Sequence, residues 1–382
     1  MTLPEPSEDA LRQSRRLESR IAGEIAAGRG WISFARYMEL ALYCPGLGYY
    51  SGGAHKLGAA GDFVTAPELS PLFGQALAVQ VAQILAASGG DVLEFGAGTG
   101  SLAADLLLEL ERLHSLPRSY MILDLSGEMR ERQEQTLSRR APHLLDRIAW
   151  LDRFPAALTG VALANEVLDA MPVYLLAWTD QGLHERGVGL AEGGGFEWRD
   201  VPATGELASA AGALSVSPPY LSEISLAARA WVAACADLLD RGALLLIDYG
   251  FPESEYYHPQ RGTGTLRCHY RHRAHDSPFF LPGLSDITAH VDFTAVARAA
   301  DAAGLDLLGY TSQARFLLNC GITGALSRLG PESGADYLRA ASGVQKLLSP
   351  SEMGELFKVM AVGRGIDIPL LGFAAGDRSH RL

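Results

Sequence analysis

The glycine-rich stretch LEFGAGTG, residues 93–100, has the features of a nucleotide-type binding loop. It ends a strand-like apolar run and leads into a helical pattern that begins at Ser101. Glycines permit a tight turn and the close approach of a ligand, and the start of a helix offers free N–H groups. Gly96, Gly98 and Gly100 differ in spacing from the dinucleotide fingerprint GxGxxG because position 101 is serine. No GK[ST] sequence follows, which excludes a Walker loop.

The acidic residue Glu94, two positions before Gly96, indicates the charge of the ligand. A carboxylate at this point would repel a pyrophosphate, whereas it would attract a ligand that carries an ammonium and a sulfonium group. The sequence therefore predicts S-adenosyl-L-methionine as the bound cofactor.

Polar residues at the ends of the next strand-like runs complete the predicted cofactor site. Asp124 lies 24 residues after Gly100, where an acidic side chain can accept hydrogen bonds from both ribose hydroxyls. Leu151 and Asp152 end the third run, and we expect them to flank the adenine ring. Asn165 lies near the end of the fourth run, at the edge where open α/β sheets bind ligands. A glycine turn without a ligand is the alternative, and these strand-end residues disfavour it.

Strand-like apolar runs and helical patterns alternate along the chain and must position these residues. This alternation predicts an α/β fold with a parallel sheet covered on both faces. Ser70 before Pro71 predicts a capped helix start, and Ser349 with Glu352 predicts a capping box. The seven apolar runs are residues 91–95, 120–125, 147–152, 160–167, 243–250, 305–312 and 356–362.

Two stretches interrupt the alternation. Residues 174–202 have short alternating runs separated by DQG and EGGG, which predicts an antiparallel meander. Residues 251–290 are rich in Pro, Gly, His and Arg without a period, which is typical of a lid or binding loop. After them, Asp292 is expected to cap a helix that Gly304 closes.

Composition limits the classes of protein and partner. The 382 residues are 48% hydrophobic and 20% charged, which is typical of a soluble globular protein of about two to three domains. A net charge of −12 disfavours DNA and anionic membranes. Four cysteines without a CxxC pair argue against a disulfide framework and a zinc ribbon. The N-terminus has no secretory or mitochondrial targeting pattern, so we expect a cytoplasmic protein without membrane insertion.

Several long motifs in matching order resemble one family, the MidA-like S-adenosylmethionine-dependent methyltransferases. This family includes the mitochondrial arginine methyltransferase that assists complex I assembly. The resemblance covers nearly the whole chain, although AGTG at residues 97–100 stands where the mitochondrial pattern reads PGRG. The matching motifs are ISFARYMELALYCPGLGYYSG (32–52), GAAGDFVTAPELSPLFGQ (58–75), LEFGAGTGSLAADLL (93–107), NEVLDAMPV (165–173), IDYG (247–250), RGTGTLRCHYRHRAHD (261–276), DITAHVDFT (286–294) and MGELFKVM (353–360).

The resemblance implies a seven-stranded Rossmann-like class I methyltransferase core with an N-terminal helical segment and inserted subdomains. It also implies symmetric dimethylation of an arginine in the large peripheral, quinone-side subunit of complex I. The corresponding domain boundaries are 1–60 for the N-terminal segment, 61–173, 223–250 and 292–382 for the core, 174–222 for an antiparallel insertion, and 251–291 for an inserted loop or lid.

Methylation of arginine requires groups that hold a guanidinium and remove its proton, because its pKa is about 12.5 or more. Glu166 and Asp169, three positions apart, can present two carboxylates to one guanidinium fork. An acidic helix start is the alternative explanation of this pair. His275 or His290 could accept the proton, since histidine titrates in the appropriate pH range.

Two further segments have open interpretations. GDFVTAPELS, residues 61–70, is a capped helix entry by sequence alone, and the resemblance favours a role for Thr65 and Pro67 in lining the cofactor or substrate pocket. CHYRHRAHD, residues 268–276, is favoured as a solvated basic loop over a metal site, because a second pair of ligands is missing. Asp62 also belongs to the first of these segments.

Competing functions remain beside protein-arginine methylation. A methyltransferase acting on another protein, a small molecule or RNA is one alternative, and the net charge of −12 disfavours RNA. A scaffold that binds the cofactor without turnover is another. The intact glycine loop, Glu94 and Asp124 argue against the scaffold.

Overall fold

The computed structural model describes residues 3–52, 65–330 and 334–382. In these ranges the α-helices are α1 (Glu8–Ala27), α2 (Phe34–Tyr43), α3 (Ala66–Leu69), α4 (Pro71–Ser88), α5 (Ser101–Arg112), α6 (Gly127–Arg140), α7 (Gly205–Gly212), α8 (Leu226–Leu238), α9 (Glu253–Tyr256), α10 (Phe293–Ala302), α11 (Gln313–Asn319), α12 (Ile322–Ser327) and α13 (Ala335–Leu348). Short 3-10 helices cover Pro142–Arg147, Pro259–Arg261, Leu371–Phe373 and Ser379–Arg381.

The β-strands of the same ranges follow in chain order. They are β1 (Ile32–Ser33), β2 (Asp91–Phe95), β3 (Tyr120–Leu123), β4 (Ile148–Leu151), β5 (Leu158–Asn165), β6 (Tyr174–Thr179), β7 (Gly182–Leu190), β8 (Phe196–Pro202), β9 (Tyr220–Ile224), β10 (Leu239–Phe251), β11 (Arg267–Tyr270), β12 (Arg273–His275), β13 (Asp286–Thr288), β14 (Val291–Asp292), β15 (Asp306–Ser312) and β16 (Phe357–Arg364).

The chain forms two compact units, each assembled from three stretches of sequence. The first unit contains the described residues before position 64, together with 169–230 and 253–290. The second contains the described residues of 64–168, 231–252 and 291–382. The glycine loop and the strands that precede the predicted cofactor residues belong to the second unit.

The second unit contains the large sheet that the sequence predicts. Its order is β15-β16-β10-β5-β2-β3-β4, with β14 paired to the end of β10. All seven predicted apolar runs form strands of this sheet, which confirms the α/β class. The strands from β10 to β4 run parallel, whereas β16 is antiparallel to both β10 and β15. An apolar run indicates burial and carries no information about strand direction. The sequence therefore could not show that β16 is antiparallel to its neighbours.

Helix α4 lies in the hydrophobic core of the second unit. Ser70 caps it by accepting a hydrogen bond from the Leu72 N–H at 3.2 Å, which confirms the predicted start. By length and hydropathy alone α4 could cross a membrane, a test that buried core helices also pass. Its predicted apolar face is fully buried among core residues, which identifies it as a core helix; that face consists of Phe73, Leu77, Val81 and Ile84.

The predicted capping box at Ser349 is wrong. Ser349 is the C-terminal cap of α13, and its N–H donates to the Gln345 carbonyl at 2.8 Å. The Glu352 N–H donates to the Ser349 carbonyl at 3.1 Å within a turn, and no helix follows before β16. The Ser-x-x-Glu pattern is short enough to suit a turn as well as a helix start.

The predicted ends of α10 are confirmed. Asp292 caps the helix by accepting a hydrogen bond from the Ala295 N–H at 3.1 Å. Gly304 follows the last turn with a φ of +77°, a left-handed conformation in which glycine avoids the steric cost of a side chain.

The first unit is built on antiparallel sheets. The larger sheet has the order β1-β7-β6-β9 with β8 paired to β7, which confirms the meander predicted for residues 174–202. Helices α1 and α2 bury their apolar side chains in the core of this unit. Among the residues that become fully buried there are Leu17, Ile21, Ile25, Phe34, Tyr37 and Met38.

Residues 251–290 differ from the irregular loop that the sequence predicts. They contain a small antiparallel sheet of order β12-β11-β13. The β11–β12 hairpin turns at Arg271 and His272, whose φ values are +48° and +60°. Such turns are normally recognised in sequence by Asn or Gly, so Arg and His concealed this one.

Candidate functional site

The glycine loop connects β2 to α5 through three left-handed residues. Gly96, Gly98 and Gly100 have φ values of +61°, +52° and +83°, where a side chain would be strained. The Gly96 N–H donates to the Leu123 carbonyl at 3.0 Å, which ties the loop to the end of β3. The GxGxG spacing therefore has a backbone explanation at each glycine.

A hydrogen bond joins the glycine loop to the segment that contains Thr65 and Pro67. The Thr99 hydroxyl donates to the Glu68 carboxylate, and Glu68 lies on α3, of which Thr65 is the N-cap and Pro67 a first-turn residue. The sequence suggested Thr65 and Pro67 as cofactor residues without predicting this link. Asp62 of the same motif lies outside the described residues.

Glu94 is a buried carboxyl group that accepts a hydrogen bond from the Tyr120 hydroxyl at 2.7 Å. Burial raises its pKa to about 7, and the Asp124 charge acts in the same direction while the Tyr120 hydrogen bond opposes it. Burial therefore favours the neutral form of Glu94 up to about neutral pH. Its attraction for a cationic cofactor stays a prediction.

The raised pKa of Glu94 predicts a pH-dependent stability. In the unfolded chain Glu94 releases its proton near pH 4.5, whereas in the folded protein it does so near pH 7. The free energy of unfolding should therefore fall by ~2 to 3 kcal/mol as the pH rises through this window. Glu94→Gln should lose this pH-dependent decrease in the free energy of unfolding, so it should be more stable than the wild type above pH 7. Urea unfolding from pH 4 to 8 measures the difference.

The comparison isolates Glu94 because other buried acids are present in both proteins. Asp105, whose burial also raises its pKa to about 7, contributes the same slope to each curve. Parallel curves for the wild type and Glu94→Gln would show that the pKa of Glu94 does not change on folding.

Asp124 follows β3, and its carboxylate accepts hydrogen bonds from the protein. Its Oδ1 accepts from the Ser126 N–H at 3.0 Å and its Oδ2 from Gln133 Nε2 at 2.9 Å. Burial raises the pKa of Asp124, and the hydrogen bonds from Ser126, Gln133 and the Leu125 N–H oppose the shift. An ionised carboxylate has about four acceptor positions, so the protein does not fill all of them, and its contact with the ribose hydroxyls stays a prediction.

Asp124→Ala should weaken cofactor binding strongly. Loss of two charge-assisted hydrogen bonds, partly compensated by water, corresponds to ~2 to 4 kcal/mol, or about 30- to 1,000-fold in affinity. Calorimetry with S-adenosyl-homocysteine measures this loss. Asp146→Ala, a change at an exposed position of the same unit, is the matched control and should bind normally. Normal binding by Asp124→Ala would mean that Asp124 only ends a strand.

Leu151 and Asp152 lie at the carboxyl end of β4. The Asp152 side chain is 94% exposed, and its Oδ1 lies 3.5 Å from Nη1 of Arg130 on α6. The Arg130 guanidinium lies 5.8 Å from the centre of the Trp150 ring. The structure thus places both residues at the predicted sheet edge, and their contact with adenine stays a prediction.

The end of β5 carries the most strained residue of the predicted site. Glu166 has a φ of +55°, and its N–H donates to the Ile247 carbonyl of β10 at 2.9 Å. Asn165 Nδ2 donates to the Glu166 carboxylate at 3.1 Å, and the Leu168 N–H donates to the buried Asp248 carboxylate at 3.0 Å. Strain of about 1 to 3 kcal/mol persists only where the surroundings enforce it, and such residues cluster at active sites.

Asn165 also offers a buried polar atom that suits a ligand. Within the ranges that the structure describes, its Oδ1 has no hydrogen-bond partner. A buried acceptor of this kind can receive an N–H from a cationic group such as an ammonium. The contact of Asn165 with the cofactor stays a prediction.

The remaining predicted catalytic residues belong to the first unit, whereas Glu166 belongs to the second. Asp169 is buried, and its carbonyl accepts the Ala289 N–H at 3.0 Å. The pKa of Tyr50 is raised mainly by burial, and the charges of Asp286 and Asp169 add to the shift. Joint action of Glu166 and Asp169 on one guanidinium stays a prediction.

The two histidines have different surroundings within the first unit. The ring of His275 packs against Phe280 with centroids 5.3 Å apart, and burial lowers its pKa, which favours the neutral form that can accept a proton. The His290 N–H donates to the Thr265 hydroxyl at 3.1 Å. Among the residues described, no group of three or more His, Cys, Asp or Glu side chains could hold a metal ion.

Glu223 organises the RGTG segment, a role that sequence analysis missed. Its buried carboxylate accepts hydrogen bonds from the N–H groups of Thr265 at 2.9 Å and Leu266 at 3.1 Å, and from the Tyr256 hydroxyl at 3.2 Å. A side chain at Gly264 would collide with the Glu223 carboxylate. Glu223 has no local sequence signal, because its partners are 33 to 43 residues away.

Comparison with known proteins decides the family. Residues 76–311 match the family described as "Putative S-adenosyl-L-methionine-dependent methyltransferase". This chain belongs to that family. The enzyme class, the cofactor and the resemblance predicted from sequence are thereby confirmed. The chain is also similar to a solved structure from Burkholderia thailandensis bound to S-adenosyl-homocysteine, with 55% identity, a TM-score of 0.97 and 100% coverage of both chains.

Two curated relatives indicate the activity found within the family. A protein named "Protein arginine methyltransferase NDUFAF7, mitochondrial" from Rattus norvegicus is 31% identical over 87% of this chain and 81% of its own length. A homolog of that name from Drosophila melanogaster is 28% identical over 97% of this chain and 91% of its own. The expected cytoplasmic location is contradicted, because these relatives are named mitochondrial. The absence of a targeting pattern in a sequence is weak information about location.

Proposed function

We propose that this methyltransferase transfers a methyl group to an arginine of a protein substrate. The observation that carries the proposal is the strained Glu166, held at φ +55° by hydrogen bonds to the ends of β5 and β10. The names of the curated relatives support arginine as the substrate residue. S-adenosyl-L-methionine supplies a methyl group activated by the sulfonium.

In this proposal the residues at the carboxyl ends of the strands bind the cofactor. Asp124 accepts hydrogen bonds from the ribose hydroxyls, and Asn165 Oδ1 accepts from the ammonium. The glycine loop admits the cofactor to the backbone near Gly98, because left-handed glycines leave no side chain in the way. Leu151 and Asp152 flank the adenine, and Thr65 and Pro67 line the pocket.

Glu166 acts on the substrate. Its carboxylate accepts two N–H bonds from the guanidinium, which orients the nucleophilic nitrogen for in-line displacement. The guanidinium must lose a proton as the new bond forms. Asp169 is the candidate second carboxylate, and His275 or His290 is the candidate proton acceptor.

The more specific proposal is symmetric dimethylation of the large peripheral subunit of respiratory complex I, in support of complex assembly. It derives from the family resemblance. Mass spectrometry of that subunit from cells with and without the gene tests it directly. We expect a dimethylated arginine that is present only when the gene is intact. An identical modification state in both cells would remove complex I as the substrate.

An assay with purified protein tests arginine methylation independently of complex I. The protein is incubated with methyl-labelled S-adenosyl-L-methionine and protein extract from the deletion strain, and the labelled proteins are hydrolysed. Label in methylarginine supports the proposal. Label in a small molecule would favour the alternative substrate class, and cofactor binding without any transfer would favour the scaffold.

A further inference from the structure

One buried amide contacts the ends of three strands of the second unit. Gln133 of α6 is 0% exposed. Its Nε2 donates to the Gly98 carbonyl at 3.1 Å and to Asp124 Oδ2 at 2.9 Å. Its Oε1 accepts from the Trp150 indole N–H at 3.1 Å. The side chain thus links the glycine loop after β2, the residue after β3 and the penultimate residue of β4.

The chemistry of the three partners fixes the orientation of this amide. An indole N–H can only donate, whereas the Gly98 carbonyl and the Asp124 carboxylate can only accept. The amide oxygen must therefore face Trp150, and the amide nitrogen must face the other two partners. A rotation by 180° would lose all three hydrogen bonds at once.

We infer that Gln133 is a positioning residue for the cofactor, which holds the Asp124 carboxylate and the Gly98 peptide in the orientation that binding requires. The inference rests on the proposed function, in which Asp124 accepts the ribose hydroxyls. Gln133 bonds Oδ2 of Asp124, whereas the Ser126 N–H bonds Oδ1, so the two contacts together fix the rotation of the carboxylate.

Close packing of α6 on the glycine loop makes this bridge possible. A side chain at Gly100 would lie 3.0 Å from Gln133 Cα, a distance tighter than nearly all real contacts. Gly100 also has a φ of +83°. The third glycine of the loop therefore serves both the turn and the approach of Gln133, which is a reason for glycine beyond ligand access.

The hydrogen bond from Gln133 also favours the ionised form of Asp124. It lowers the pKa of Asp124 against the opposing effect of burial. Among the described residues, the buried Glu94 of β2 interacts with the charge of Asp124, while Arg130 of α6 pairs with Asp152 after β4 and Arg132 of α6 pairs with Glu128. Removal of the amide should therefore raise the pKa of Asp124. Cofactor binding, which weakens when Asp124 is protonated, should then be lost at a higher pH.

The test uses Gln133→Met, which keeps the length of the side chain and removes its hydrogen bonds. Calorimetry with S-adenosyl-homocysteine is performed on the full chain from pH 4.5 to pH 8. We expect affinity about 10- to 100-fold weaker at pH 7.5. We also expect the acid midpoint of binding at a higher pH than in the wild type. Gln135→Met, at an exposed position two residues later on α6, is the matched control and should behave as the wild type.

A purely structural role would lower the thermal stability of the unliganded protein without moving the pH midpoint, and that result overturns the inference. If Gln133→Met does not fold, Trp150→Phe decides, because it removes the indole donor that orients the amide and keeps an aromatic ring at that position. Affinity about three- to tenfold weaker in Trp150→Phe supports the inference, and unchanged affinity overturns it.

Asp124→Asn separates the inference from the proposed function. Weak binding by Asp124→Asn with wild-type binding by Gln133→Met overturns the inference alone. Wild-type binding by Asp124→Asn overturns the proposed ribose site on which the inference depends.

Discussion

Glu166→Gln should reduce methylation by about 100-fold or more while S-adenosyl-homocysteine binds with unchanged affinity. A neutral amide has one acceptor oxygen, so it can neither balance the guanidinium charge nor bind both nitrogens. Glutamine and glutamate have the same backbone strain at φ +55°, so the substitution changes the side-chain chemistry alone. Both quantities are measured on one purified preparation, by incorporation of labelled methyl groups and by calorimetry.

Glu192→Gln, at an exposed position, is the matched control and should retain full activity. Full methylation by a protein that carries both Glu166→Gln and Asp169→Asn would contradict the carboxylate clamp. Loss of cofactor affinity in Glu166→Gln would instead assign Glu166 to the methionine end of the cofactor.

Gly98→Val should abolish detectable cofactor binding. At φ +52° a β-branched residue is strained, and its side chain would occupy the space through which a ligand approaches the backbone. The Gly98 carbonyl also accepts a hydrogen bond from Gln133 Nε2 at 3.1 Å, and the same nitrogen donates to Asp124. A shift of the Gly98 peptide would therefore disturb Asp124 as well. Calorimetry with S-adenosyl-homocysteine measures the loss.

Gly194→Val separates ligand access from backbone strain. Gly194 has a φ of +89°, and no atom of the described residues outside its immediate chain neighbours lies within 4 Å of the position that a Cβ would take. This variant therefore carries comparable strain away from the predicted site. We expect lower thermal stability with normal cofactor affinity. Unchanged affinity in Gly98→Val would exclude the glycine loop from the cofactor site.

The candidate site was predictable where a single stretch of chain contains the signal. The GxGxG spacing at residues 96–100 was visible because the turn itself demands glycine at each left-handed position. Asp124 and Asn165 were identifiable because each lies near the end of an apolar run, and the ends of parallel strands meet at one edge of a sheet. Gln133, Glu68 and Glu223 were not identifiable, because most of their hydrogen-bond partners lie between 9 and 43 residues away.

The sequence alone predicted seven strands of the large sheet, the helix starts at Ser70 and Asp292, the glycine loop and the family. Hydrophobic periodicity and caps depend on neighbours within a few residues, so these features are local. The folded structure was needed to show the antiparallel direction of β16, the hairpin at Arg271 and His272, the strain of Glu166 and the three hydrogen bonds of Gln133. Each of these depends on hydrogen bonds or packing imposed by the folded chain, and a residue's spacing in sequence does not specify which distant atom it will meet.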